Sequence, residues 1–83
     1  MIPRISDIKP CENYILQVSF DSGETVSYDV GEDIATLKDF LPLKTETGLF
    51  TNFTLDKSRT CISWSDRIDL PSDTILEYGK RIS

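Results

Sequence analysis

The side chains that most often carry catalysis are scarce in this chain. It contains no histidine and two cysteines, Cys11 and Cys61. A serine or cysteine nucleophile needs a base to remove its proton, and histidine usually serves as that base. The two cysteines lie far apart and lack the Cys-x-x-Cys spacing of metal or redox sites. The sequence therefore predicts a protein that is not an enzyme and that holds no catalytic residue, metal ion or cofactor.

Three carboxylates, Asp29, Glu32 and Asp33, crowd one short stretch of the sequence. A hard cation needs several oxygen ligands that converge, and the spacing of a calcium-binding loop is absent here. Acidic side chains are also favoured at the start of a helix, where the helix dipole is positive. We interpret these residues as the start of a helix.

The segment from Trp64 to Leu70 is the most distinctive polar stretch. Tryptophan and arginine are enriched at the energetic centres of protein interfaces. The aspartates of the segment could pair with Arg67 or Arg59, or accept hydrogen bonds from the backbone of a bent loop. A tryptophan in so small a domain is also a natural core residue. We predict a partner-binding surface formed by Trp64, Asp66, Arg67 and Asp69, with a core position for Trp64 as the alternative.

The charge balance bears on the class of partner. Nine Lys and Arg residues stand against fourteen Asp and Glu residues, a net charge of −5. An acidic chain repels the phosphate backbone, so we expect a protein partner and no direct contact with nucleic acid. Two alternatives remain. One is a regulator linked to nucleic acid through a partner, such as an antitoxin-like subunit with a basic face of Lys57, Arg59, Lys80 and Arg81. The other is an acidic mimic of nucleic acid.

An amphipathic hairpin from Tyr14 to Val30 is the clearest structural signal. Apolar and polar residues alternate along both arms, as expected of strands with one buried face. The turn Asp21–Glu24 contains Gly23, which suits a tight reversal. Residues 3–9 read as a preceding strand.

The rest of the chain reads as helix, hairpin and helix. Ile34, Leu37 and Leu41 form the buried stripe of a first helix that Pro42 ends. A second hairpin spans 49–64, a loop 65–70, and a last helix runs from Pro71 to Tyr78, with residues 80–83 as a frayed tail. We therefore predict one α+β domain over residues 1–83. Its mainly antiparallel sheet has the order β-β-β-α-β-β-α, with helices on one face.

The lack of certain segments in the sequence bears on where the protein is located and on whether it associates with itself. The first residues lack the apolar region of a signal peptide, and no apolar run is long enough to span a membrane. We expect a cytoplasmic protein with no membrane contact and with both cysteines free. Thr51–Thr54 carries no proline or charge, so a homodimer through that sheet edge is possible.

Three segments together resemble a known family. They are Pro3-Arg4-Ile5 with Ile8-Lys9-Pro10, the hairpin LQVSFDSGETVSYDV, and Ile62-Ser63-Trp64-Ser65-Asp66 with Ile68-Asp69-Leu70. The pattern is similar to the small bacterial family called domain of unknown function 2442. Members of that family show a proline-led first strand, an aromatic-Asp-x-Gly-Glu turn and a tryptophan segment before a terminal helix.

The resemblance implies a compact α+β fold with a curved antiparallel sheet, two helices and no catalytic residues. Some relatives are joined to a helix-turn-helix domain, or are encoded beside another small protein in arrangements that resemble toxin–antitoxin pairs. The chain departs from the family pattern at Arg67, where glycine is common, and at Pro71-Ser72, where the usual order is reversed. These departures leave the start of the last helix open.

Overall fold

A computed structural model describes residues 2–65 and 67–82. Within them, antiparallel strands form two sheets and three short helices accompany the sheets, so the predicted α+β class is confirmed. The strands are β1 Ile5–Pro10, β2 Ile15–Phe20, β3 Thr25–Asp29, β4 Thr54–Leu55, β5 Cys61–Ser65, β6 Ile68–Pro71 and β7 Lys80–Arg81. The helices are α1 Val30–Thr36, α2 Pro42–Thr45 and α3 Ser72–Tyr78.

The predicted first hairpin is present as β2 and β3. Val18 lies opposite Val26 and Ser19 opposite Thr25, so each arm turns its apolar residues to the same face. Gly23 has a φ of 95°, and its N–H donates to the carbonyl of Phe20 at 2.9 Å. Only glycine adopts this backbone conformation without strain, which explains the turn that the sequence predicts.

The first sheet has the strand order β1-β2-β3-β7. The reversal from β1 into β2 contains two successive left-handed residues that are not glycine, Asn13 at φ 61° and Tyr14 at φ 60°. At the other edge, Lys80 and Arg81 pair with Ser27 and Val26 of β3. The prediction of a frayed tail from residue 80 is therefore wrong for these two residues, because their backbone groups complete the sheet.

The second sheet has the order β4-β5-β6. The predicted loop over 65–70 is wrong for its last part, where β6 pairs with β5 and places Leu70 opposite Ile62. Ile68 and Leu70 are both buried, whereas Asp69 between them is exposed. The alternation of a strand is thus present, but it spans too few residues to be recognised in the sequence.

The stretch after the first hairpin also differs from the prediction. Helix α1 ends at Thr36, and Leu37 takes an extended backbone with φ −115° and ψ 116°. Leu37 and Leu41 are consequently 47% and 48% exposed instead of forming a buried stripe. Pro42 begins α2 instead of ending a helix, since its fixed φ suits the first position of a helix.

Three aromatic side chains pack together where a long strand was predicted. Residues 47–51 form turns, and β4 begins only at Thr54. The ring of Phe50 stacks on that of Trp64 with centroids 6.3 Å apart. Phe53 meets Trp64 edge to face at 6.5 Å. The turn lets both phenylalanines reach the same indole, which a regular strand would not.

The two sheets are joined by hydrogen bonds between distant segments. The N–H of Ile5 in β1 donates to the carbonyl of Arg59 at 2.7 Å. The hydroxyl of the fully buried Ser72 donates to the carbonyl of Pro3 at 2.6 Å, and its N–H donates to the carbonyl of Thr60 at 2.8 Å. Helix α3 contacts both β3 and β6. One continuous core therefore lies between the sheets and the helices.

Candidate functional site

The predicted partner-binding residues fall in different environments. Trp64 is only 8% exposed, and its indole N–H donates to the carbonyl of Phe50 at 2.9 Å. Its apolar surface and its one polar atom are thus both in contact with the protein itself. Trp64 offers a partner little surface, and a core position, the alternative reading from the sequence, describes its surroundings.

The other three predicted residues are less enclosed or lie outside the described residues. Arg67 and Asp69 are both exposed. Asp66 lies outside the described residues. Arg59, one of the predicted ion-pair partners of the segment, binds Asp21 instead. A role of Arg67 and Asp69 in binding a partner stays a prediction.

Arg67 lines a shallow hollow beside the end of α1. Its other walls come from the segment 36–40, and its volume is about 240 Å³. We call this site the Arg67 hollow; its lining residues are Thr36, Leu37, Lys38, Asp39, Phe40 and Arg67. The extended backbone at Leu37 brings that side chain to the hollow, and Leu41 follows as a second half-exposed leucine. Neither leucine was predicted to lie at the surface, because the apolar spacing predicted a helix that continues as far as Leu41.

The described residues that line the Arg67 hollow carry a net charge opposite in sign to that of the whole chain. Lys38 and Arg67 contribute two positive charges and Asp39 one negative charge. The ion pairs found in the described residues join Arg59 to Asp21 and Arg81 to Glu24, so neither involves Lys38 or Arg67. The described lining of the hollow thus combines apolar surface with an excess of positive charge.

A larger cleft of about 860 Å³ lies beside the start of β1, between Ile2, Arg4 and Phe20 on one side and Ser58 on the other. Some of its polar side chains already have partners outside the cleft. The hydroxyl of Ser58 donates to Asp56 at 2.7 Å, and the nearby Asp21 carboxylate is held by Arg59. Ser58 and Asp21 are therefore engaged, and the exposed Arg4 is the cationic side chain among the described residues of this cleft.

A third cleft, of about 460 Å³, contains the carboxylates that the sequence places at a helix start. The interpretation is confirmed, because Asp29 caps α1 by accepting the N–H of Gly31 at 2.9 Å, and Glu32 and Asp33 lie in its first turn. The hydroxyl of Tyr28 donates to Asp33 at 2.7 Å. Burial and this carboxylate raise the pKa of Tyr28 above its usual value. Among residues 2–65 and 67–82, no three His, Cys, Asp or Glu side chains are placed to hold a metal ion.

The cysteines are free, as predicted. Cys11 is exposed and Cys61 is half-buried. Burial raises the pKa of the Cys61 thiol, which lowers its fraction of reactive thiolate. Neither residue is part of the Arg67 hollow.

The proposed basic face is interrupted by acidic side chains. Arg59 binds Asp21 at 2.8 Å, and Arg81 lies 2.8 Å from Glu24. Both carboxylates belong to the β2–β3 turn, so two of the four basic residues have an ion-pair partner. Lys57 and Lys80 are exposed.

The chain matches no protein-family model, and no curated protein or solved structure is significantly similar to it. In the part of the chain that the structure describes, no helix is long and apolar enough to cross a membrane.

Proposed function

We propose that this protein is a small non-enzymatic module that binds another protein through the Arg67 hollow. The observation that carries the proposal is the exposure of Leu37, at 47%, on a concave surface that it lines together with Arg67. Leu41, which follows the lining residue Phe40 in the sequence, is 48% exposed. We also propose that the chain belongs to the family called domain of unknown function 2442. A cytoplasmic location, where thiols stay reduced, is part of the same proposal.

The two leucines supply the apolar part of the interface. Burying a leucine side chain completely contributes roughly 1.5–3 kcal/mol, so covering the exposed halves of Leu37 and Leu41 contributes about 1 kcal/mol each. Exposed apolar side chains that lie close together beside polar residues mark protein interfaces more often than isolated ones do. Arg67 adds a planar group that pairs with a carboxylate through two hydrogen bonds.

The charge of the hollow indicates the chemistry of the partner. Lys38 and Arg67 outnumber Asp39, so a matching surface presents an apolar side chain next to an acidic one. A regulator that reaches nucleic acid through such a partner remains the alternative function, and an acidic nucleic-acid mimic is a second alternative.

The test is capture of the partner by surface variants of the tagged full chain. The wild-type protein is incubated with lysate of its own host, with and without nuclease, and bound proteins are identified by mass spectrometry. We expect one stoichiometric protein that survives nuclease and is lost with Leu37→Ser and with Arg67→Glu. The matched controls are Ile2→Ser and Arg4→Glu, which change an exposed aliphatic residue and an exposed arginine at the larger cleft.

The outcomes separate the hypotheses. A partner that is retained by the hollow variants but lost with Ile2→Ser or Arg4→Glu would move the site to the larger cleft. Partners that disappear with nuclease would favour the alternative linked to nucleic acid. Recovery of the tagged protein alone would contradict the proposed function.

A further inference from the structure

Strand β1 is the longest open edge in the described part of the fold. It pairs with β2 on one side only. The other edge strands are shorter: β4 and β7 have two residues each, and β6 has four and ends in Pro71. The edge around Thr51–Thr54, considered from the sequence, is reduced to the start of β4 at Thr54. An edge strand carries unpaired backbone groups that can pair with another strand.

The hydrogen-bonding pattern shows which groups of β1 face outward. The N–H of Cys11 donates to the carbonyl of Ile15 at 2.8 Å, so the N–H of Cys11 faces β2, while the N–H of Ile15 donates to the carbonyl of Glu12. The direction of the backbone groups alternates along a strand, so those of Lys9 also face β2 whereas those of Ile8, opposite Val18, do not. The N–H and C=O of Ile8 therefore point away from β2, toward the open edge.

We propose that two copies of this chain pair through their β1 edges, antiparallel, with Ile8 of each copy at the two-fold axis. In this register the outward N–H of each Ile8 donates to the C=O of the other Ile8. The side chain of Ile8 is partly buried and packs against the core, and across the axis it meets its own copy. The two first sheets join into one continuous sheet.

Charge complementarity selects this register. Asp7 and Lys9 flank Ile8 and are both exposed. Antiparallel pairing centred on Ile8 places Asp7 of each copy directly opposite Lys9 of the other, which gives two opposite-charge pairs. Opposite charges directly across two strands stabilise the pairing, and like charges destabilise it. A shift of the register separates these pairs, so the self-complementary order Asp-Ile-Lys fits a second copy of this strand.

The ends of β1 limit the ladder to a few residues. The N–H of Ile5 is already donated to Arg59, and a β-bulge or irregularity lies between Ile5 and Asp7. Pro10 has no N–H to offer at the other end. These features restrict further strand addition, so the edge forms a closed dimer and not an open-ended aggregate.

This dimer is independent of the Arg67 hollow, because it uses a different edge and different residues. Variants of the hollow should leave the dimer intact, and variants of β1 should leave capture of the partner intact. Failure of one proposal is therefore distinguishable from failure of the other.

The experiment is a charge exchange followed by sedimentation. Wild-type protein, Asp7→Lys, Lys9→Asp and the double variant are compared in a concentration series that reaches about 1 mM, where weak association is detected. Each single variant replaces two opposite-charge pairs by two like-charge pairs, and we expect dimerisation to weaken about tenfold or more. The double variant restores opposite charges and should dimerise like the wild type. An equal mixture of the two single variants should form a heterodimer.

Two matched controls change the same net charge elsewhere. Glu77→Lys and Lys57→Glu alter exposed residues outside β1 and should leave association unchanged. Circular dichroism checks that every variant is folded. A wild-type protein that stays monomeric at about 1 mM would overturn the proposal. So would a dimer that the single reversals do not weaken, or a mixture of the two single variants that associates no better than either alone.

Discussion

Arg59 and Asp21 form an ion pair with two parallel hydrogen bonds, from Nη1 to Oδ1 and from Nη2 to Oδ2, each 2.8 Å long. Asp21 begins the β2–β3 turn of the first sheet, and Arg59 lies just before β5 of the second. The same guanidinium also reaches the carbonyl of Ile5 at 3.3 Å, and the carbonyl of Arg59 accepts the N–H of Ile5. One residue therefore binds the first sheet through its side chain and its backbone.

The backbone of Arg59 predicts an unusual order of stability among its variants. Arg59 has a φ of 60°, a region that disfavours a side chain but not glycine. Arg59→Ala and Arg59→Gly both remove the ion pair, yet we expect the glycine variant to have the higher melting temperature. At Lys57 in the same turn, whose φ is not positive, alanine should be at least as stable as glycine. An alanine variant at 59 that melts as high as the glycine variant would contradict the role given to this backbone conformation.

The core position of Trp64 predicts two graded losses of stability. Trp64→Phe keeps most of the ring packing but leaves the buried carbonyl of Phe50 without its donor, at a cost of about 1–3 kcal/mol. Trp64→Ala also leaves a cavity and should cost about 3–5 kcal/mol. Urea unfolding followed by circular dichroism measures both free energies. A free energy of unfolding unchanged in Trp64→Ala would show that the side chain serves the surface instead of the core.

The same change at two nearby leucines is predicted to have effects of very different size. Leu43 is 2% exposed, whereas Leu41 is 48% exposed. Leu43→Ala should lower the free energy of unfolding by about 2–5 kcal/mol. Leu41→Ala should change it by less than about 1 kcal/mol, because surface substitutions seldom matter for stability. Equal effects in thermal denaturation would contradict the end of α1 at Thr36 and the start of α2 at Pro42.

The parts of the fold that the sequence predicts well are those with local signals. The β2–β3 hairpin has clean alternation and a glycine where φ must be positive, and the last helix begins at Ser72, one residue after its predicted start at Pro71. The errors concern residues whose conformation depends on distant partners. Leu37 fits a helical stripe by spacing but leaves the helix, and Lys80 and Arg81 become a strand only because β3 lies beside them.

The candidate site was predicted only in part for the same reason. Arg67 was singled out by its residue type, and it does lie at a hollow. Its apolar neighbour there, Leu37, comes from a segment that is distant in the sequence and was assigned to the core. Spacing along the chain gives no indication that α1 stops at Thr36, so the juxtaposition of Leu37 with Arg67 appears only in the folded structure.

The buried phenol of Tyr28 predicts a loss of stability in alkali. Burial, and then the hydrogen bond to Asp33, raise the pKa of Tyr28 in the folded protein above the value of ~10 in the unfolded chain. The folded state thus holds this proton more tightly, so the stability it contributes is complete below pH ~10 and falls as the pH rises further.

Variants of this pair provide the measurement. Tyr28→Phe should flatten the decline of the free energy of unfolding above pH ~10. Asp33→Asn keeps an acceptor but removes the charge, so it should lower the pKa of Tyr28 toward its usual value, seen by tyrosinate absorbance. The same alkaline decline in Tyr28→Phe as in the wild type would contradict this assignment.

Gly79 follows α3 at a point of close approach. A Cβ added there would overlap Cγ1 of Val26 and lie 2.5 Å from the carbonyl oxygen of Ile75. Gly79→Ala should therefore destabilise the fold by about 1–3 kcal/mol through overpacking. Gly23→Ala is the matched control, because its Cβ meets nothing within 4 Å and its cost of about 1–2 kcal/mol arises from the positive φ alone. In chemically synthesised protein, D-alanine, which prefers positive φ, should restore the stability lost at position 23 but not that lost at position 79.

The reversal between β1 and β2 depends on the rest of the molecule. Asn13 and Tyr14 both occupy the left-handed region without being glycine, and the ring of Tyr14 meets Phe50 edge to face at 5.4 Å. Because Phe50 is far from this turn in the sequence, a short fragment that contains the turn does not include Phe50. A peptide of residues 5–29 would keep the β2–β3 reversal at Gly23 but lack the aromatic contact that Tyr14, in the β1–β2 reversal, makes with Phe50. Minimal versions of this domain must therefore retain the segment around Phe50, however remote it is in the sequence.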